Sequence, residues 1–172
     1  MPAPDLGEPP VLLAALRERM LALAASQADG AFPYLVTAER VAWCRDVLDR
    51  AADGERRGRP LLAVSMPAVL DTDAGSARAA ARAYLVPYLR TPTYRASWQI
   101  QGFHETDWEQ PGSDALVDAM VAWGSRESLV KRAGELQAAG ADHVAVIAVA
   151  PDGSTEHLPV LEALAPERMI DG

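Results

Sequence analysis

The chain is short of cysteine, and Cys44 is the only one it carries, so no internal disulfide can form. Cys44 sits in a helical pattern beside Trp43 and Val47 and is read as a small core residue. A lone thiol fits a reducing, cytoplasmic setting. Long apolar runs are missing too. None approaches the about 20 residues that cross a bilayer, which argues against a membrane protein. Residues 1–10 hold neither a basic n-region nor an apolar h-region. They are read as a Pro-rich linker and not as a signal peptide. Positive charge is scarce: 16 Lys and Arg stand against 24 Asp and Glu, a net charge of −8. That excludes a general nucleic-acid binder, which needs a basic face. The one basic cluster, Glu55–Arg59, falls in a predicted loop and is too small to be such a face. His104, His143 and His157 show no metal-ligand spacing, so no metal site is assigned. No nucleophile elbow, phosphate-binding P-loop or Gly-x-Gly-x-x-Gly turn occurs.

What the chain does have is 172 residues, 49% of them hydrophobic and 23% charged, enough for one soluble domain with a real core. Residues 11–37 set its architecture. Val11–Leu16 is a short uncharged run. Arg17–Gln27 follows with helical spacing, Ala28–Gly30 breaks it, and Ala31–Val36 is extended again. Strand, helix and strand in that order make a βαβ unit, whose strands run parallel. Thr37 is a suitable N-cap for a helix over 38–52, with Val41, Ala42, Cys44, Val47 and Leu48 as its buried stripe. A third strand is predicted over about 60–70, although Pro67 demands an end, an edge or a bulge there. A helix over about 74–89 comes next, with Pro87 expected to kink or shorten its last turn. An aromatic-rich excursion occupies about 90–112. A helix from Ser113 through Trp123 is stopped by Gly124, and a second runs over 126–139 with Leu129, Val130, Ala133 and Leu136 on one side. His143–Val149 is a fourth strand, apolar on both faces as buried parallel strands are. A closing helix covers 158–164.

Two stretches resemble each other, Leu23–Gly30 and Leu136–His143, each placing Ala-Asp just before a strand. Small residues at a tight helix-to-strand return explain the device, and its repetition points to repeated βα units. Four such units fit either a small open α/β sandwich or half of a (β/α)8 barrel. In both, ligands sit at the carboxyl ends of the strands. Those ends are Leu16–Arg17, Val36–Thr37, Leu70–Asp71 and Val149–Pro151. A helix starting beside Arg17 would aim free N–H groups at that face, which suits a phosphate. Asp71 and Asp73 lie at the same end but are explained by helix capping. Asp29 and Gly30 lie at the opposite end, where stability and not chemistry is expected.

Several segments taken together resemble one family. Val11–Leu16, Met20–Ala25, Ala28–Thr37, Tyr88–Tyr94, Gln101–Phe103, Ser113–Gly124 and Ala138–Val144 are similar, in order and spacing, to luciferase-like monooxygenases. More narrowly they resemble the F-420-dependent oxidoreductases of that class. The resemblance implies an α/β fold: the C-terminal half, four βα units, of a (β/α)8 TIM-type barrel, filling 11–172, with a helical excursion before the last strand. It implies a hydride carried between the deazaflavin coenzyme F-420 (also written F420), or FMN as the alternative, and a small organic substrate. Ala15, Leu16 and Arg17 are the cofactor-phosphate candidates, with Tyr34 lining the same site. Leu16–Glu18 stands where the family usually has a glycine-containing turn. Tyr94 and Trp98, in the excursion with Phe103 and Trp108, are the substrate-pocket candidates. No catalytic residue is assigned, because the groups beside the flavin ring come mostly from strands this chain lacks. Two readings stay open: an enzyme, either the F-420-dependent oxidoreductase or an FMN-dependent luciferase-like monooxygenase, or a non-catalytic half-barrel that binds or oligomerises. A homodimer, or pairing with a separate N-terminal half, would close eight strands.

Overall fold

A computed structural model describes residues 9–52, 58–150 and 157–165. Most of the Pro-rich segment, most of the Glu55–Arg59 cluster and the turn after Ala150 lie outside the described residues. The chain order is β1 (Leu12–Leu13), α1 (Glu18–Gln27), β2 (Gly30–Ala31), α2 (Ala38–Ala52), β3 (Leu61–Leu70), α3 (Ala74–Leu89), α4 (Pro92–Ile100), α5 (Glu105–Trp108), α6 (Asp114–Met120), β4 (Ala122–Gly124), α7 (Arg126–Ala138), β5 (His143–Ala148) and α8 (Leu158–Leu164).

Every strand pairing is parallel. β1 pairs β2, β2 pairs the start of β3, and β5 pairs β3 over Ala63–Ala68. These four strands lie side by side in sequence order and are the four expected. β1 and β2 keep only two paired residues each, and the stretches after them, expected to be strand, leave the sheet as loops. The sequence reading missed one strand. Val121–Trp123, expected to end a helix, instead follows the last turn of α6, and Ala122–Gly124 pairs with Ala68–Leu70. Ala68 partners both Ala122 and Ala148, so β4 and β5 flank β3 on opposite edges.

That arrangement explains Pro67. Along a parallel strand the amide groups of successive residues point to opposite edges. The Leu61 amide donates to Asp29 on the β2 side, while the Leu62 carbonyl accepts from Asp142 on the β5 side. Odd positions of β3, Pro67 among them, therefore face the edge carrying β2 and β4. β2 pairs at 61–62 and β4 at 68–70, so the missing N–H of Pro67 falls in the gap between them.

Helices cover the sheet as parallel strands require. Leu62, Val64, Met66 and Ala68 join Leu21, Val41, Cys44, Leu48, Leu129 and Leu136 in one core. Burial pushes the Cys44 thiol up to about 11, so it is an inert packing group. A second core gathers Leu35, Val69, Leu85, Leu89, Trp98 and Trp108 beneath the excursion. Val130, expected on the buried side of α7, is exposed, and so is Ala42 on α2. The helix starts follow the residues: Thr37, Asp73, Ser113 and Ser125 each accept an amide from the first turn of their helix. Asp71 accepts the Asp73 amide, which accounts for its place in the same turn. Among the described residues no helix is long and apolar enough to cross a membrane, and no three metal-ligating side chains converge.

Candidate functional site

A cavity of about 410 Å³ opens where β1 and β2 end. Its walls are Ala14, Ala15, Leu16, Arg17 and Met20 on one side, Phe32 and Tyr34 on another, and Thr91, Thr93 and Tyr94 on a third. The volume lies in the range of small-molecule sites. The first wall exists because β1 stops at Leu13 and the chain needs four residues, Ala14–Arg17, to reach α1. Arg17 is the N-cap of α1 in extended conformation, and no side chain caps that helix start. The first-turn amides of α1 thus keep donor capacity at the rim. Among the described residues Arg17 is the only formally charged side chain on the walls. Its neighbour Glu18 opens α1, where a carboxylate favours the helix dipole.

The third wall comes from the excursion. Thr91 and Pro92 start α4, and Tyr94 one turn in projects to the cavity. Behind it all four tyrosines of the chain pack together. Tyr94 meets Tyr88 edge-on at 5.1 Å between ring centroids and Tyr34 at 6.0 Å, and Tyr34 meets Tyr88 at 5.5 Å. The Tyr34 hydroxyl shares a hydrogen bond with the Tyr84 hydroxyl and lies 3.4 Å from that of Tyr88. Burial, reinforced by the neighbouring phenols, raises the pKa of Tyr84 and Tyr94 above the ordinary tyrosine value. This side of the cavity is therefore a neutral hydroxyl surface that donates and accepts without carrying charge. Apolar bodies, hydroxyl groups and one cation suit a planar aromatic ligand with an anionic end.

Five of the six residues singled out in the sequence, Ala15, Leu16, Arg17, Tyr34 and Tyr94, stand on the walls of this one cavity. Trp98 does not. It is fully buried one turn behind Tyr94, and its indole Nε1 donates to the Leu35 carbonyl at 3.2 Å. It is a core side chain and no part of a substrate pocket. Tyr94 and Trp98 were both expected at the cavity as aromatics of the excursion; α4 carries Tyr94 to the wall and Trp98 into the core. Phe103 and Trp108 pack in the same core. The sequence reading missed Thr91, Thr93, Phe32 and Met20, small or generic residues with no motif to mark them. Ser65, Met66 and Val36 border a crevice of about 10 Å³.

A larger hollow, about 570 Å³, lies at the amino ends of the strands against Pro10, Val11, Asp29, Arg59 and Leu61. Its charged groups are engaged in structural contacts. Asp29 accepts the Val11 amide at 2.7 Å, and Arg59 pairs with Asp142 at 2.8 Å and Asp49 at 3.6 Å. Sequence alone placed chemistry at the other end, on the general behaviour of parallel sheets.

Comparison with known proteins bears on the fold. No curated protein sequence matches the chain. Among solved structures it resembles the coenzyme F420-dependent tetrahydromethanopterin reductase of Methanopyrus kandleri, with 16% identity and a TM-score of 0.61 over 90% of this chain and 48% of that one. It resembles an F420-dependent secondary alcohol dehydrogenase, determined with an F420-acetone adduct, with 13% identity and a TM-score of 0.64 over 94% and 50%. EDTA monooxygenase from Chelativorans sp. BNC1 gives 16% identity and a TM-score of 0.67 over 95% and 44%. At these identities the likeness is one of fold, and the chain spans about half the length of each. The family model for luciferase-like monooxygenases matches residues 1–143. With that match over most of its length and the parallel βα order it shares with those structures, the chain belongs to the luciferase-like monooxygenase family.

Proposed function

We propose that the chain forms the cofactor-gripping half of an oxidoreductase that moves a hydride between coenzyme F-420 and a small organic substrate in the cytoplasm. The observation that carries this reading is the meeting of Ala15, Leu16, Arg17 and Tyr34 with Tyr94 in one cavity at the carboxyl ends of the strands. The residues fit such a group. Arg17 and the uncapped start of α1 would hold its phosphate, with Leu16 and Ala15 supplying backbone beside it. Met20, Phe32 and Tyr94 would pack on its ring, and Tyr34 with the two threonines would meet its polar edge. Bound there, a deazaflavin supplies the hydride donor or acceptor. The chain itself binds, orients and keeps water from the ring. Where the family usually has a glycine that lets backbone approach the phosphate, this chain offers the Arg17 charge instead. Two of the solved structures named above are F420-dependent by name. FMN would meet the same walls and is the second ligand to test.

Closing eight strands needs four more, which we assign to an N-terminal half or to a second copy of this chain. β1 and β5 are the outer barrel strands, each paired on one side among the described residues. A two-fold axis along the strand direction would set β5 of one copy parallel to β1 of the other, twice.

The experiment is a fluorescence titration of this chain with F-420 and with FMN, alongside its mass in solution. Saturable binding of either ligand, weakened about two- to fivefold by Arg17→Gln and weakened less at high salt, supports the reading. Binding of neither by a folded dimer favours the second reading, a non-catalytic half-barrel that oligomerises.

A further inference from the structure

The three walls of the cavity come from the loop 14–17, the stretch 32–34 after β2 and the start of α4, and no strand pairing joins all three. A continuous run of hydrogen bonds does, through residues 35–37. Arg40, on the first turn of α2, donates from Nη2 to the Leu16 carbonyl at 2.7 Å. Its own amide donates to Thr37 Oγ1 at 3.2 Å. The Thr37 amide donates to Gln101 Oε1 at 2.8 Å, at the end of α4. Gln101 Nε2 donates in turn to the carbonyl and hydroxyl of Ser97 at 3.3 and 3.2 Å, which fixes the orientation of its amide. Trp98 holds the Leu35 carbonyl. Leu35, next to Tyr34, has φ 54° and is the only non-glycine residue with positive φ among the described residues. A leucine adopts that conformation only where its surroundings enforce it.

Arg40 is more than nine-tenths buried, and its Nε has no hydrogen-bond partner. Its guanidinium lies 3.6 Å over the Trp43 ring, and among the described residues no carboxylate pairs with it. A buried cation without a counter-charge is a costly way to fill space. Its grip on Leu16 accounts for it. None of Arg40, Trp98 and Gln101 lines the cavity.

We infer that Arg40, Trp98 and Gln101 are positioning residues: a brace through Leu35–Thr37 that sets the spacing between the Leu16–Arg17 loop and Tyr34, and so determines how tightly the cavity holds a planar ligand. The inference rests on the reading of that cavity as the ligand site. Groups held this way by supporting hydrogen bonds bind more tightly because less ordering remains to be done on binding.

The test uses the chain labelled with 3-fluorotyrosine. Its four tyrosines all belong to the cluster beside the cavity, so fluorine NMR reads the wall directly, with assignment by single Tyr→Phe changes. Gln101→Leu is expected to shift the Tyr34 and Tyr94 resonances and to weaken F-420 or FMN binding about two- to tenfold. Gln101→Glu keeps an acceptor for Thr37 and is expected to recover part of both. Arg40→Met is expected to lower affinity with little change in melting temperature, and Arg40→Lys to restore part of it. Unchanged tyrosine resonances in Gln101→Leu, or unchanged affinity in Arg40→Met, overturn the brace. If the unmodified chain binds neither ligand, the cofactor reading fails. The resonances of Gln101→Leu then decide the brace alone, and those of Arg40→Met replace them should Gln101→Leu not fold.

Discussion

The Asp29 carboxylate accepts the Val11 amide at 2.7 Å, and the Asp142 carboxylate accepts the Leu62 amide at 2.8 Å. The two aspartates occupy the same place in their units, one residue before a strand, and each receives the amide at the start of the neighbouring parallel strand. In a parallel pair that amide lies before the ladder begins and has no carbonyl opposite it. Sequence reading found the repeated Ala-Asp and explained only its alanine, Ala28 or Ala141, as the small residue a tight return needs; both are indeed buried. The aspartate is a strand clamp.

Replacing either carboxylate leaves an amide without its partner, at about 1–3 kcal/mol if water cannot reach it. The two sites should differ. Asp142 also pairs with Arg59 at 2.8 Å and with Arg45 at 3.4 Å, and Arg45 is buried, with its aliphatic stem against Gly140. Asp142→Ala should therefore destabilise more than Asp29→Ala in urea unfolding, and Asp142→Asn should fall between Asp142→Ala and the parent chain. Equal losses for the two alanine variants would mean the Arg45 contacts add nothing.

Periodicity and turn chemistry reached the four barrel strands, the long helices and most of their caps, because those signals are local. They did not reach β4. Val121–Trp123 is three apolar residues after a helical pattern, and only the free edge of β3 makes them a strand. The shortness of β1 and β2 is likewise a property of where their partners end. At the candidate cavity, the places of Arg17 and Tyr34 on the wall were legible from their position at predicted strand ends. Arg40 and Arg45 were not: a charged residue in a helix reads as solvent-facing, and only the distant Leu16 and Pro60 carbonyls bring them inside. Trp98 was placed one wall too far out because sequence cannot say which way α4 is rotated.

Two glycines give opposite expectations. A Cβ on Gly30 would lie 1.9 Å from the Leu61 carbonyl oxygen, a backbone atom held in the β2–β3 ladder. Gly30→Ala must push those strands apart, and a loss of several kcal/mol or failure to fold is expected. A Cβ on Gly134 meets nothing within 4 Å, and the residue is exposed in the middle of α7. Gly134→Ala should stabilise by about 1 kcal/mol. Thermal melts of the two variants check both signs, and a Gly30→Ala protein that melts normally would contradict the β2–β3 register.

Acid should unfold the excursion's support. Burial alone would raise the Asp118 carboxyl. Hydrogen bonds from Arg78 and Trp123, with the charge of Arg78, outweigh it and hold Asp118 below the usual carboxylate range. Asp107 is held low by the His104 amide and the Ser113 hydroxyl. A carboxyl with its folded value below the unfolded one adds stability above the unfolded pKa, about 3.9, and loses it as pH falls through the folded value. The contribution of these two carboxyls should thus be flat above about pH 5 and decline below about pH 4. Asp118→Asn should be less stable at neutral pH and show a shallower decline, seen by urea unfolding at a series of pH values. A slope identical to the parent's would remove Asp118 from the account.

Alkali should act through the tyrosine cluster with the opposite sign. Tyr84 and Tyr94 have folded values above the ordinary tyrosine value of about 10, because burial and neighbouring phenols disfavour the phenolate. Below that pH both states carry the proton and stability is complete. Above it the unfolded chain releases protons that the folded chain keeps, so stability falls as pH rises. The tyrosinate absorbance contributed by Tyr84 and Tyr94 should then appear together with loss of far-ultraviolet circular dichroism. Tyr84→Phe removes the hydroxyl that meets Tyr34, and its alkaline loss should be smaller than the parent's. If all four tyrosines ionise together near pH 10 while the secondary structure stays intact, the cluster is open to water and the neutral wall assigned to the cavity is not there.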